Sequence, residues 1–167
     1  MIRKNINSYV FASGIVVSLF LQMTFIPHMF QQSIVPNLLL IALIAGSFLA
    51  SDGSVLYAAI LSGYVIDIYS GKYFGASLIG SMIAVFFATY MNHYFLKEAL
   101  SLSVLLTAIF SVILYYISYY FIAYLLNSYG PAIETGSLVM AAASDILLLV
   151  VVFYPLIHIF SYNRNEK

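Results

Sequence analysis

The sequence predicts an all-α membrane protein, a compact bundle of six transmembrane helices. Three observations predict it. Of 167 residues, 63% are hydrophobic and 7% are charged, whereas a soluble domain dresses its surface with about 25% charged residues. Six long apolar runs succeed one another, and a helix rising 1.5 Å per residue needs roughly 20 such residues to cross ~30 Å of hydrocarbon. The stretches between the runs are too short to hold a soluble domain, so residues 1–167 read as a single transmembrane domain.

The first run covers about 8–26 and stops at Pro27-His28. Arg3 and Lys4 precede it as they would a signal peptide. The run exceeds the usual apolar region of such a peptide and no small-residue cleavage site comes after it, so it is expected to be a retained helix. The second run covers about 36–50 and opens at Pro36-Asn37; proline suits a helix start because the first helical amides have no intrahelical acceptor. Ser51-Asp52-Gly53-Ser54 makes a tight turn, with Asp52 or Ser54 as the natural N-cap of the next helix. The third run covers about 55–69 and ends at Ser70-Gly71-Lys72. The fourth covers about 74–93, the fifth about 101–126 and the sixth about 137–160. Residues 127–136, with Gly130-Pro131, separate the last two.

Basic residues orient the bundle, because cytoplasmic loops hold the excess of Lys and Arg. With the N-terminus inside, Arg3, Lys4, Lys97, Arg164 and Lys167 are cytoplasmic and Lys72 alone is outside. Both termini are therefore expected in the cytoplasm. Six basic and six acidic residues leave a formal net charge of zero, so no basic excess exists to hold nucleic acid. Cysteine is absent, which removes disulfides, thiolate nucleophiles and cysteine metal sites together.

In lipid, helices associate through close backbone approach and interhelical hydrogen bonds, so small residues four apart mark packing faces. The fourth run has a ridge of them, Ala76, Gly80, Ala84 and Ala88; the second has Ala42, Gly46 and Ala50, the third Ala59 and Gly63. Such a ridge serves either packing inside the chain, its ordinary use, or docking of another protein. The fifth run carries Tyr115, Tyr116, Tyr119, Tyr120 and Tyr124. Toward the outer end such tyrosines form an interfacial belt, ring in lipid and hydroxyl in water. Tyr116 lies deeper and is expected to hydrogen-bond within the bundle.

Two acids need a partner, because an ionised carboxylate at mid-bilayer costs about 2.5–3.5 kcal/mol on insertion scales. Asp67 sits one turn before the end of the third run, with Lys72 as a candidate cation across Gly71. Asp145 has no cation in any run; it is either protonated or bonded to Ser, Thr or Tyr hydroxyls. Both acids fall in the outer half of the membrane, where they could line one polar cavity. Two roles are open: an ion or proton site, or, respectively, a capped turn and a cross-link between helices. Gln22 reads as a link between helices. His28, His93 and His158 lie at segment ends, the first on the opposite side from the others, so they form no metal cluster. No zincin, nucleophile-elbow or phosphate-loop motif is present, and the sequence implies no enzyme, cofactor or metal.

Several of these residues form a pattern. Leu21-Gln22-Met23-Thr24 ends the first run, Pro36-Asn37-Leu38 opens the second, and the third reads Gly63-x-x-x-Asp67-x-x-x-Gly71-x-x-x-Gly75. With Phe153-Tyr154-Pro155-Leu156 in the last run and the six-span layout, the chain resembles the bacterial rod shape-determining protein MreD family over nearly its whole length. One departure is Asn37, where the family often has aspartate; asparagine keeps the hydrogen-bonding shape and loses the charge. The array makes sense in itself: Gly63 and Asp67 share a helix face, Gly63 admits a neighbouring helix, Asp67 bonds that neighbour's backbone or the amides after Gly71, and Gly71 and Gly75 reverse the chain.

The resemblance implies a non-enzymatic scaffold of the cell-shape and elongation machinery in the bacterial cytoplasmic membrane. Such a scaffold would dock the bitopic protein MreC and, through it, join the actin-like MreB, the glycosyltransferase RodA and a penicillin-binding transpeptidase in peptidoglycan synthesis. The family's fold is similar to that of substrate-binding subunits of energy-coupling-factor transporters, which supplies the alternative. In that reading a vitamin-like molecule enters from outside, with residues 127–136, Glu134 and the tyrosines as lid and walls.

Overall fold

The computed structural model describes residues 8–25, 36–71, 73–94, 101–126 and 135–162, with the side chains of all of these except 8, 101, 135 and 154–162. All six elements they form are helices: α1 (Ser8–Thr24), α2 (Leu38–Leu49), α3 (Asp52–Ser70), α4 (Ala76–Tyr94), α5 (Ser101–Leu126) and α6 (Thr135–Tyr162). Three contain stretches long and apolar enough to cross a membrane: Asp52–Ser70, Leu102–Leu126 and Gly136–Phe153.

Helix lengths set the architecture. At 1.5 Å per residue, α5 and α6 reach about 39 and 42 Å, more than the ~30 Å core. The 12 residues of α2 reach only about 18 Å. A helix that short cannot cross that thickness, and where its ends are shut off from water the protein itself must satisfy the free backbone amides.

The apolar residues explain where α2 sits. One core gathers Leu40, Ile44 and Phe48 of α2 with Ala84 of α4, Val112 of α5 and Leu149 and Phe153 of α6. Phe48 meets Phe153 edge to face at 5.8 Å. A second core gathers Leu39 and Leu43 of α2 with Phe11 and Ile15 of α1, Val55 and Ala59 of α3, and Val85 of α4. Helix α2 thus divides two cores and is buried on both sides. In contrast, α1, α5 and α6 turn large apolar side chains outward, among them Phe20, Phe110, Phe121 and Leu147. That distribution suits a lipid solvent, where an exposed apolar side chain costs nothing.

The small-residue ridge of α4 faces inward. Ala76, Ala84 and Ala88 have no exposed surface, and a Cβ on Gly80 would come 3.0 Å from the Tyr115 ring. The ridge lets α5 lie close along α4. On α3, a Cβ on Gly63 would fall 2.6 Å from the backbone of Leu78, so only glycine permits α3 and α4 to approach so nearly.

Two details of the α2–α3 turn differ from the sequence reading. The N-cap of α3 is Ser51, and the helix opens at Asp52 rather than Val55. Ser51 takes the extended backbone of a cap, but its hydroxyl pairs with that of Ser54 at 2.6 Å instead of capping an amide. The six basic residues that predict orientation, the Pro27-His28 stop, Glu134 and the loop at 127–134 lie outside the described residues, as does the expected pairing of Asp67 with Lys72.

Candidate functional site

Two helix starts collect the polar side chains of the interior. The first is the start of α4. Helix α3 ends with Gly71 in the left-handed region (φ 61°), its amide donating to the Asp67 carbonyl at 3.2 Å. Gly75 also has a positive φ, 93°; both positions disfavour a Cβ, which is why glycine occupies them. The two reversals bring the first turn of α4 back onto the last turn of α3, against Asp67.

Asp67 is 2% exposed, and three backbone amides donate to it. Gly75 N and Leu78 N reach Oδ2 at 2.9 and 3.0 Å, and Ser77 N reaches Oδ1 at 3.0 Å. The remaining amide of that turn, Ala76 N, donates to the Tyr73 carbonyl at 3.1 Å. Every amide that a helix start leaves without an intrahelical acceptor is therefore met. The carboxylate also sits at the positive end of the α4 dipole.

The second centre is the start of α2. Pro36, fully buried, has no amide proton to satisfy. The Asn37 amide donates to Asp145 Oδ1 at 2.6 Å, and Leu38 N donates to Gln22 Oε1 at 2.9 Å. Leu40 N donates to Asn37 Oδ1 at 3.0 Å, which makes Asn37 a side-chain N-cap. Its amide group also donates to the Tyr115 hydroxyl at 3.3 Å. Asp145 has no exposed surface; its Oδ2 accepts from the Tyr116 hydroxyl at 2.7 Å. Helices α1, α5 and α6 thus each send a side chain to one buried helix start.

The candidate residues fall into these two groups: Gly63, Asp67, Gly71 and Gly75 in the first, Gln22, Pro36, Asn37 and Asp145 in the second. Tyr115 is the participant that sequence reasoning does not single out; its signal is the glycine opposite it, Gly80. Tyr120 and Tyr124 stack with centroids 6.5 Å apart and stand outside, 39% and 65% exposed. Between the two centres lies a cavity of about 10 Å³, whose lining includes Asn37, Gly63, Ser77, Ser81 and Tyr115. That is about the space of one water, and neither carboxylate is part of its lining. Among the described residues, no group of three metal-ligating side chains gathers.

Against known protein families, the model described as "rod shape-determining protein MreD" matches residues 2–163. No curated protein and no solved structure matches the chain.

Proposed function

The chain belongs to the MreD family, whose role is in determining rod shape, and from that premise we propose that it is a non-enzymatic scaffold of the cell-elongation machinery. In this reading it lies in the bacterial cytoplasmic membrane as six segments, α1, the short α2 and α4 joining the three helices long and apolar enough to cross it, with both termini in the cytoplasm. It docks a bitopic MreC-like protein through helix faces in the bilayer. Through that partner it joins MreB, RodA and a penicillin-binding transpeptidase and supports peptidoglycan synthesis.

One observation supports the scaffold over a chemical role. Both oxygens of Asp67 and both oxygens of Asp145 already accept hydrogen bonds from the protein's own backbone amides or tyrosine. Acids so committed hold helices in place. Capture of a vitamin-like molecule between the same helices fits less well, because a small-molecule pocket takes about 300–1,000 Å³ and the cavity beside these acids takes about one water.

The test uses the intact chain. Cells depleted of their own copy should regain rod shape when this gene is supplied, and the bitopic partner should copurify in detergent at a fixed ratio. Restored shape with no copurifying partner would overturn the docking mechanism. A stoichiometric small ligand surviving purification would overturn the scaffold in favour of transport.

A further inference from the structure

The cavity between the two helix starts is bordered by three hydroxyls and an amide side chain. Ser77, Ser81 and Tyr115, only 5%, 4% and 5% exposed, border it together with Asn37. We propose that it is a binding site for one ordered water molecule, which joins the α2 start to the α4 start through these hydroxyls.

Size and hydrogen-bonding capacity agree. A buried water needs roughly 10–15 Å³ and two to four polar partners, and the cavity measures about 10 Å³. Ser81 Oγ has one proton, which it donates to the carbonyl of Ala59 or Leu78, each at 3.0 Å; its lone pairs stay free to accept. The Tyr115 oxygen accepts from the Asn37 amide group at 3.3 Å and keeps its own proton. The Ser77 hydroxyl borders the cavity beside Tyr115 and rotates to donate or accept. A water among the three accepts one hydrogen bond and donates two. A metal ion fits worse, because the neighbouring carboxylates already face amide and hydroxyl protons.

The cavity also explains a second feature of Gly63. A Cβ there would stand 2.8 Å from Ser81 Oγ as well as 2.6 Å from Leu78, so glycine keeps this hydroxyl free to turn toward the water. The chain of contacts runs from Asp67 through the Ser77 backbone to the water, then through Tyr115 and Asn37 to Asp145.

A density map of the full chain in detergent or lipid at about 2 Å or better tests the site directly. A single peak within about 2.7–3.2 Å of at least two of the three hydroxyls is expected. An empty cavity, or a peak ringed octahedrally by oxygens at ionic distances, overturns it. Thermal melts of Tyr115→Phe, Ser81→Ala and their double variant give an independent reading. Each single change is expected to lower the apparent Tm by about 3–6 °C, and the double by clearly less than the sum, because the first substitution already releases the water. Additive shifts would sink the proposal.

Discussion

The starts of α4 and α2 pose the same physical problem, amide protons held away from water, and meet it over very different distances. At α4 the acceptor is Asp67, 8 to 11 residues before the amides it serves. At α2 only the Leu40 amide has a local acceptor, Asn37, and the other partners of this start lie 16, 78 and 108 residues away, on three other helices. The first centre is thus a property of one helical hairpin. The second is a property of the assembled bundle. A buried polar group is tolerated only when its partners are complete, so the second centre holds only while α1, α5 and α6 all stand in register.

Removing each acid separates the two centres most strongly. Asp67→Ala strands three buried amides at about 1–3 kcal/mol each, so it should cost upward of about 3 kcal/mol and faster hydrogen exchange is expected at Gly75, Ser77 and Leu78. Asp67→Asn keeps one acceptor oxygen and should recover part of that loss. Asp145→Ala strands one amide and one hydroxyl that can rotate, so its thermal shift should be smaller, with exchange rising at Asn37 instead. Equal shifts, or exchange rising at both starts in both variants, would break the distinction.

Glycine substitutions come next in size. Gly63→Ala drives a Cβ into the α4 backbone, which cannot move without moving the helix, and overpacking of this kind costs about 1–3 kcal/mol. Gly80→Ala meets a tyrosine ring at 3.0 Å, and a ring can tilt, so detergent melts should show the milder loss there. The reverse order would mean that α5, not the α3–α4 hairpin, is the rigid wall of the core. The smallest effect belongs to Gln22→Leu, which removes one neutral acceptor from Leu38 and should cost about 1–2 kcal/mol. A loss as large as that of Asp67→Ala would show that α1 alone anchors α2.

This difference in distance also decides what is legible in the sequence. Gly63 and Asp67 stand four apart on one helix face, and Gly71 and Gly75 mark the reversal after it, so the amides after Gly71 fall within reach of Asp67 by local geometry. Gln22, Asn37 and Asp145 are visible as polar residues in apolar runs, but nothing in a single sequence pairs residue 37 with residue 145. The clue is the opening of the second run at Pro36-Asn37, a polar cap residue at the start of an apolar run. Helix ends near strong signals come close: the fifth run matches α5, whereas α3 begins three residues earlier than read because Ser51, not Asp52 or Ser54, takes the cap backbone. The ridge on α4 declares its spacing and not its partner, which the burial of Tyr115 against Gly80 supplies.

The reach from Asn37 to Asp145 has a consequence for biosynthesis. A ribosome adding about 5–20 residues per second needs roughly 5–20 s after Asn37 emerges before Asp145 exists to receive its amide. Over that interval α2 is a stub of helix with an incomplete cap, dependent on α1 and on whatever water or insertion machinery shelters it. Helix α6, made after α1 to α5, is therefore the one that locks α2. A chain cut short before Asp145 would keep the α3–α4 hairpin whole and leave α2 as the first element open to quality-control proteolysis.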